Sequence, residues 1–311
     1  MYDLDSPIPS RQILDVVVIG EALMDVVNSP RGTSEHPGGS PANVAYGLGK
    51  LGVTTGLLTA IGDDERGAAI VQHLHSAGVT LLPGSRSLNK TPSATSTLAP
   101  DGSARYEFDL SWTLEPTAHA YTPKVLHTGS IATFLAPGAN TVKALLQQYR
   151  QDCTLTYDPN IRPSLLGSHS EAKSTFEDLV HLTDVIKLSD EDALWLYPRE
   201  EVEDIATHLL GLGAGLVVIT RGSRDTLLAT AETRMHVPAV KSEVADTIGA
   251  GDSYMAALIL GLLTRGTDGL APAVLEQLGR TASMAAAITV RRHGAKPPTL
   301  DELRTHLQPV V

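Results

Sequence analysis

The segment "DTIGAGDSYMAALILGLL", residues 246–263, places two glycines, an alanine and an aspartate directly before a long apolar run. Glycine is among the poorest helix formers, so these glycines need a reason other than helix propensity. The first residues of a helix have unpaired N–H groups and a partial positive charge, and anions bind there. Gly249 and Gly251 let the backbone around Ala250 approach an anion without an obstructing Cβ. The pattern predicts an anion hole at a helix start.

Asp252 lies in the first turn of the same predicted helix, beside these amides. Its carboxylate can accept the proton of a substrate hydroxyl while the amides hold a phosphoryl group, an arrangement that recurs in phosphoryl transfer. A structural interpretation fits the spacing equally well, because aspartate often caps a helix and stabilises it by about 1 kcal/mol. The residues alone leave both interpretations open.

Alternating strand and helix patterns indicate which elements position this helix start. "LDVVVIGEALMDVV" predicts a buried strand followed by a glycine turn, and "PANVAYGLGKLG" predicts a helix between Pro41 and Gly52. The alternation continues to "GLVVITRG" at residues 215–222. It predicts an α/β fold that is doubly wound, with a mostly parallel sheet flanked by helices.

Ligands of such sheets bind beyond the carboxyl ends of the strands, so the residues that follow each predicted strand are candidates for a site. They are Glu21, Asp25, 62–64, Gly129, 158–162, 187–192 and 220–223. Each alone could be an ordinary turn or cap residue. Their shared place at one edge of the sheet favours a polar site.

One segment interrupts the alternation of strands and helices. "SATSTLAPDGSARYEFDL" contains two alternating strands around Asp101 and Gly102, a strong hairpin signal. With residues 26–37 of the first crossover, residues 90–115 predict a small β lid inserted in a single domain that spans residues 1–311. An extra edge hairpin is the alternative. Exposed strand edges can pair with a second copy, so a homodimer through the lid is a further expectation.

Composition argues against several classes of protein. The chain of 311 residues has 24 Lys+Arg and 35 Asp+Glu, and its net charge of −11 is repelled by nucleic acids and anionic membranes. The single cysteine, Cys153, excludes an intramolecular disulfide and favours a reducing compartment. The first residues lack a signal segment, and the longest apolar run is about half of the roughly 20 residues that span a bilayer. We expect a cytoplasmic protein without nucleic-acid or membrane partners.

A glycine pattern at residues 47–52, "GLGKLG", matches the dinucleotide-binding pattern G-x-G-x-x-G only in its letters. It closes a predicted helix and leads into a strand, whereas that motif needs a strand before it and a helix after it. The chain also has no GxxxxGK[ST] loop. The cradle for a phosphate is therefore expected at Gly249–Gly251.

Two signatures resemble those of a known family. "DTIGAGDSY" resembles the C-terminal signature of the ribokinase-like, PfkB-type carbohydrate kinases, and "PGGSPANVAYGLGKLG" resembles their N-terminal one. The resemblance extends from about Val16 to Gly294, and "GEALMD", "GGSPANVA", "DPNIR" and "KLSDED" are most similar to fructokinases. It implies transfer of the γ-phosphate of ATP to a sugar hydroxyl, with D-fructose giving fructose 6-phosphate.

Two alternatives to a fructokinase remain open. The acceptor can be another sugar, such as a different ketose, a pentose or a 2-keto-3-deoxy sugar acid. The chain can also be a sugar- or nucleotide-binding protein without activity, because a fold does not guarantee catalysis.

The resemblance also implies a role for each motif residue. It makes Asp252 the base, with Gly249, Ala250 and Gly251 as the anion hole and Arg162 at the ATP phosphates, where a guanidinium can bind two oxygens. The residues expected to bind sugar are Asp25, Gly38, Gly39 and Asn43. Those expected to bind the nucleotide are Lys187, Ser189, Thr220, Gly222 and Ser223, with adenine against residues 282–295.

The expected metals are Mg²⁺, which accompanies ATP, and K⁺. The family often has Asn-x-x-Glu near the magnesium waters, whereas this chain has "SDED" at residues 189–192, so Asp192 is expected to act on magnesium indirectly. Related enzymes hold a monovalent cation with backbone carbonyls of the late signature. Here Asp246 and Ile248 occupy that position, and Ile248 replaces a threonine.

Overall fold

The fold is described from a computed structural model over residues 13–29, 32–98, 104–114, 121–266 and 270–307. The strands are β1 (Val16–Ile19), β2 (Leu23–Ser29), β3 (Gly32–Gly38), β4 (Thr55–Leu58), β5 (Ile61–Gly62), β6 (Thr80–Leu81), β7 (Arg86–Leu88), β8 (Ser93–Leu98), β9 (Ala104–Asp109), β10 (Val125–Gly129), β11 (Thr154–Asp158), β12 (Val185–Ser189), β13 (Leu216–Thr220), β14 (Asp225–Ala229) and β15 (Arg234–Pro238). The helices are α1 (Ser40–Lys50), α2 (Glu65–His75), α3 (Gly138–Tyr149), α4 (His169–Val180), α5 (Asp190–Leu196), α6 (Val202–Gly211), α7 (Ala250–Arg265), α8 (Pro272–Thr289) and α9 (Leu300–Leu307).

The main sheet has nine strands in the order β15-β14-β13-β12-β11-β10-β1-β4-β6. The strands from β13 to β6 run parallel, and β14 and β15 are antiparallel to their neighbours. Parallel strands that are buried on both faces need continuous apolar runs, and "VVVI" in β1 is such a run. The predicted α/β fold with a mostly parallel sheet is confirmed. The antiparallel edge pair β14–β15 was not predicted.

Helices cover both faces of the main sheet. Val16, Val18 and Val218 lie in one apolar cluster with residues of α1, α7 and α8. Val17 and Ile19 point to the opposite face and lie in a second cluster with α3, α4, α5 and α6. Successive residues of a strand alternate between the faces, so one apolar run contributes to both clusters. No helix within the described ranges combines the length and the apolar character needed to cross a membrane.

A separate sheet of four strands, here called the lid sheet, has the order β3-β2-β8-β9. Its strands β8 and β9 are antiparallel, as the hairpin pattern predicts, and the turn at Asp101 and Gly102 lies outside the described residues. The sheet also includes residues 23–25, which precede the predicted lid. Asp25 therefore lies on the lid strand β2, which follows the main-sheet strand β1 along the chain.

Close packing of α1 against α7 brings the starts of these two helices together. A Cβ on Gly47 would lie 3.0 Å from the Cβ of Ala256, so the glycine allows this approach. Gly47 belongs to the "GLGKLG" pattern, which closes a helix as predicted. Gly52, just beyond α1, has φ +79°, the left-handed conformation that favours glycine at a helix end.

Candidate active site

The start of α7 is built around a glycine in a left-handed conformation. Gly249 is the N-cap residue, with φ +75°, and a Cβ there would lie 2.6 Å from the Cβ of Ala295. A Cβ on Gly251 would lie 3.1 Å from Lys187 Nζ. The backbone N–H groups of the first turn therefore share their surroundings with an ammonium group. A phosphoryl oxygen at this point would meet positive potential from both.

The carboxylate of Asp252 does not cap its own helix, since no side-chain hydrogen bond caps α7. Its Oδ1 accepts a hydrogen bond from Ser40 Oγ at 2.7 Å, and its Oδ2 accepts one from Asn43 Nδ2 at 2.9 Å. Burial raises the pKa of Asp252, while these donors and the charges of Lys187 and Arg162 oppose that rise. The group is positioned as a carboxylate between two helix starts.

A buried ion pair lies beneath the start of α7. Lys187 Nζ donates to Asp158 Oδ2 at 2.7 Å, and the two side chains are 5% and 2% exposed. Asp158 Oδ1 has no hydrogen-bond partner among the described residues, although it is buried. Burial raises the pKa of Asp158 to about 6, although Lys187 opposes the rise. A buried acceptor without a partner indicates room for a donor or a cation.

Asp25 projects from the lid sheet next to the diglycine turn. A Cβ on Gly38 would lie 2.0 Å from Asp25 Oδ2, so only glycine leaves space for this carboxylate. Gly39 has φ +97°, and a Cβ there would lie 2.6 Å from the backbone oxygen of Glu21. Burial raises the pKa of Asp25 to about 6, and the charges of His36 and Arg162 oppose the rise. Among the described residues Asp25 has no hydrogen-bond donor, so its oxygens are available to a ligand.

The strand register adds three residues to the face that carries Asp25. Asp25 of β2 lies directly opposite His36 of β3 on one side and Ala94 of β8 on the other. Ala94 in turn lies opposite Phe108 of β9. Directly opposite residues project to the same face. Asp25 is therefore flanked by an imidazole on one side and by a methyl and a phenyl group on the other. His36, Ala94 and Phe108 were not predicted as site residues, although alternation within the hairpin pattern carries this information.

Arg162 is exposed and precedes a short 3-10 turn at Pro163–Leu165. Among the described residues, its guanidinium donates only to the backbone oxygen of Ile161, at 3.1 Å. Its charge acts on the carboxylates of both Asp25 and Asp252. The guanidinium is therefore free to bind an anionic ligand.

Ser189 and Asp192 form a capping box at the start of α5. Ser189 Oγ accepts from the backbone N–H of Asp192 at 3.0 Å, and Asp192 Oδ2 accepts from that of Ser189 at 3.2 Å. Asp192 Oδ1 accepts from the N–H of Ile161 at 2.9 Å. Asp192 thus fixes the loop that carries Arg162, and its indirect action on magnesium stays a prediction.

The predicted nucleotide loop lies in the turn between β13 and β14. Thr220 ends β13, Gly222 has φ +55°, and Ser223 is exposed. A cavity of about 610 Å³ is lined by residues 241–245 and Arg291. Arg291 belongs to the segment expected to contact adenine, whereas residues 241–245 were not among the predicted nucleotide-binding residues.

Asp246 connects the segment before α7 to the segment after α8. Its Oδ1 accepts from the N–H of Ile248 at 3.0 Å, and its Oδ2 accepts from that of Gly294 at 2.9 Å. The side chain of Ile248 is 57% exposed. No group of three His, Cys, Asp or Glu side chains that could hold a metal occurs in the described part of the chain. The cation site predicted at the backbone carbonyls of Asp246 and Ile248 contains no such side-chain group within that part of the chain and stays a prediction.

Another buried carboxylate, Glu21, was noted in the sequence only as a residue after a strand. Its Oε2 accepts from the N–H of Ala132 at 3.1 Å. Burial raises its pKa to about 8, the hydrogen bonds of Ser130 and Ala132 oppose the rise, and the charge of Asp252 adds to it. The acidic side of the site is therefore larger than the motifs predict.

Known proteins resemble this chain in sequence and in fold. A model of the pfkB family of carbohydrate kinases matches residues 14–302. A fructokinase of Rhizobium leguminosarum bv. trifolii is 30% identical over 79% of this chain and 79% of its own. An uncharacterized sugar kinase of Pyrococcus horikoshii, in complex with ATP, is 27% identical, with a TM-score of 0.78 over 93% of this chain and 97% of that chain.

The fold is shared more widely than the sequence. A fructokinase double mutant of Vibrio cholerae O395, with bound fructose, ADP and potassium ion, is 23% identical, with a TM-score of 0.82 over 96% of this chain and 100% of that chain. Likeness at this identity concerns the fold alone. The family match, by contrast, covers nearly the whole chain and includes both glycine-rich signatures. This chain therefore belongs to the pfkB family of carbohydrate kinases and is an ATP-dependent sugar kinase.

Proposed function

We propose that the chain phosphorylates the terminal hydroxyl of D-fructose to give fructose 6-phosphate. The observation that carries this proposal is the convergence of the Asp252 carboxylate, the backbone amides at the start of α7 and the ammonium of Lys187. These groups suit an alcohol on one side and a terminal phosphate on the other.

In the proposed reaction the sugar lies between the lid sheet and α1. Asp25 accepts hydrogen bonds from sugar hydroxyls, because its oxygens have no donors among the described residues and can each accept from one hydroxyl. Asn43 is already bonded to Asp252, so its contact with sugar uses its remaining amide atoms. The lid sheet excludes water, which limits ATP hydrolysis.

The chemical step requires a base and stabilisation of charge on the phosphoryl group. Asp252 accepts the proton as the hydroxyl oxygen attacks the γ-phosphorus and the bond to the β-phosphate oxygen breaks. The amides of Gly249, Ala250 and Gly251 donate to the transferring group, and Lys187 and Arg162 add positive charge. The nucleotide base occupies the cavity beside Arg291.

Magnesium and potassium belong to the same proposal. Asp158, whose Oδ1 is buried and has no partner among the described residues, would bind a magnesium ion directly, and Asp192 would do so through water. A bound magnesium ion would neutralise phosphate charge. Backbone carbonyls near Asp246 and Ile248 are proposed to hold potassium, because the late signature resembles that of enzymes that hold a monovalent cation there.

Fructose is chosen as the acceptor for two reasons. The relative from Rhizobium is named a fructokinase, and the four motifs noted in the sequence are most similar to that group. The lid face also combines the charge of Asp25 with the apolar surface of Phe108, which suits a ring with hydroxyls and a carbon face.

An acceptor panel tests this choice. Purified protein with MgATP is assayed for ADP release with D-fructose, other ketoses, pentoses and 2-keto-3-deoxygluconate, each with and without potassium. We expect the highest kcat/KM for D-fructose and a higher rate with potassium. A different sugar that is used more than tenfold better would replace fructose, and binding without turnover would restore the binding-protein alternative.

The base assignment predicts the effect of Asp252→Asn. We expect kcat to fall by about 10² to 10⁴, the usual contribution of general base catalysis, while KM for the sugar changes little. Asp301→Asn is the matched control, because Asp301 is also in the first turn of a helix but is 96% exposed. Steady-state kinetics of both variants test this assignment. A normal kcat for Asp252→Asn would show that Asp252 is not the general base.

A further inference from the structure

A serine beside the diglycine turn contacts the Asp252 carboxylate directly. Ser40 is the first residue of α1, and its Oγ lies 2.7 Å from Asp252 Oδ1. Asn43 Nδ2 lies 2.9 Å from Oδ2, so each carboxylate oxygen has one donor. Ser40 is 8% exposed, and few waters can compete for its hydroxyl. The two bonds restrain the rotation of the carboxylate.

The hydroxyl of Ser40 is not needed to cap its own helix. Serine near a helix start usually bonds to a backbone N–H of the first turn. In α1 the N-cap residue is Gly39, and no side chain caps the helix. The hydroxyl of Ser40 therefore points across to another helix instead of to its own backbone.

The bond is also not required to hold α1 against α7. The two helices already pack closely at Gly47 and Ala256. Val44 and Leu48 of α1 and Leu258 of α7 lie in one buried apolar cluster. Burial of such side chains contributes far more to helix packing than one hydroxyl does. The contact of Ser40 with Asp252 therefore calls for a role in the site.

We propose that Ser40 is a positioning residue that holds the Asp252 carboxylate with its free lone pairs toward the acceptor hydroxyl. This inference rests on the proposed role of Asp252 as base. A carboxylate has about four sites for hydrogen bonds, and Ser40 and Asn43 occupy one on each oxygen. The others remain for the substrate. A fixed orientation matters because small displacements of a reacting group can reduce the rate strongly.

Donation from Ser40 also stabilises the ionised form of Asp252. Burial raises the pKa of Asp252, and the hydrogen bond from Ser40 has the largest opposing effect. Besides Ser40, Asn43 of α1 donates a hydrogen bond to Asp252. The charged groups that act on Asp252 are Lys187 of β12, Arg162, Glu21, Asp25 of β2 and Asp158 of β11. Without the hydroxyl, a higher pH is needed to ionise the base.

Three variants test the proposal with ATP and the sugar that the unmodified enzyme uses best. Ser40→Ala removes the hydroxyl, Ser40→Thr retains one, and Asp252→Asn removes the base. Ser85→Ala is the matched control for stability, since Ser85 is 1% exposed and its hydroxyl also joins two segments, at Thr59 and Leu57. For each protein, kcat, KM, the pH profile of kcat and the melting temperature are measured.

The expected result is a change in turnover rather than in binding. In Ser40→Ala, kcat falls about tenfold, as expected for one hydrogen bond to a charged group, and KM for the sugar changes less than about twofold. The acid limb of the pH profile moves to higher pH by about half a unit or more. Ser40→Thr restores most of kcat. Ser85→Ala melts at a lower temperature with normal kinetics.

Two results would overturn the proposal while the base assignment stands. One is a normal kcat and acid limb in Ser40→Ala while Asp252→Asn is inactive. The other is a Ser40→Thr variant that folds and is as slow as Ser40→Ala. A normal kcat in Asp252→Asn would instead overturn the base and this inference together. If Ser40→Ala does not fold, Ser40→Cys, which is close in volume but donates weakly, replaces it with the same expectations.

Discussion

Several acidic side chains face the start of α7, and few cations compensate for them. Burial raises the pKa of Glu21 to about 8 and those of Asp25 and Asp158 to about 6. The positive charges that lower the pKa of these groups are that of Lys187 at Asp158 and those of His36 and Arg162 at Asp25. A general base works best when its pKa lies near the working pH, so burial and mutual repulsion suit a site that removes a proton.

Asp25→Ala tests the proposed sugar contact at the scale of one residue. Loss of hydrogen bonds to a charged group should raise KM for the sugar by about tenfold or more, with the fold retained. Asn28→Ala is the matched control, because Asn28 is on the same strand but projects to the other face of the lid sheet. A KM for the sugar that is unchanged in Asp25→Ala would show that Asp25 does not bind the sugar.

At the scale of elements, the start of α7 depends on backbone shape as much as on side chains. Gly249 turns the chain into the helix with φ +75°. The same residue packs against Ala295, which belongs to the segment after α8. Asp246 joins these two segments through its bonds to Ile248 and Gly294. The start of α7 is therefore held by residues outside this helix.

Gly249→Ala should disturb this helix start. A residue with a Cβ costs about 1 to 2 kcal/mol in the left-handed conformation, and the contact with Ala295 adds about 1 to 3 kcal/mol of overpacking. Gly52→Ala is the matched control, since Gly52 has φ +79° and no atom within 4 Å of its Cβ position. Urea unfolding should show the larger loss for Gly249→Ala.

The two variants should also differ in turnover. We expect a lower kcat in Gly249→Ala because the amides of the first turn move, and a normal kcat in Gly52→Ala. Equal stability losses together with equal kcat values would contradict the packing role of Gly249.

At the scale of the molecule, a few polar contacts attach the lid sheet to the rest of the chain. Arg66 of α2 donates to both carboxylate oxygens of Glu35 on β3. Asp64 accepts from both the backbone N–H and the hydroxyl of Thr91, just before β8. Within the described residues β3 and β9 are the edges of this sheet. Pairing of such an edge with a second copy remains a proposal.

The pH dependence of unfolding also belongs to the whole molecule. The pKa of Glu21 is raised from 4.5 to about 8, so the folded protein binds this proton more tightly than the unfolded chain does. The stabilisation is fully present below pH 4.5 and is lost as the pH rises to about 8. Glu21→Gln stays neutral, so it should gain stability relative to the unmodified protein over this range.

Melting temperatures of the two proteins at pH 5, 7 and 8.5 measure this difference. The net negative charge grows with pH almost equally in both proteins. The difference between their melting temperatures at each pH therefore cancels this effect. Profiles that run parallel from pH 5 to 8.5 would show that Glu21 is not protonated in the folded state.

The sequence by itself determined the fold class, the alternation of strands and helices as far as residue 222, and the start of the helix that carries Asp252. Local patterns sufficed, because apolar periods and glycine positions depend on neighbours within a few residues. The prediction that α1 lies between Pro41 and Gly52 is one such case. β14 and β15 were not predicted, because the alternating pattern was followed only as far as residue 222. Both strands come directly after β13 along the chain.

Only the tertiary structure decided which side chains meet Asp252 and Asp25. Ser40 and Asp252 are 212 residues apart, and no spacing along the chain encodes the 2.7 Å between their oxygens. Asp25 was expected at the edge of the main sheet, but pairing of β2 with β3 and β8 placed it on the lid sheet. Such contacts depend on how whole helices and sheets pack, and that packing sums many interactions that are distant in sequence.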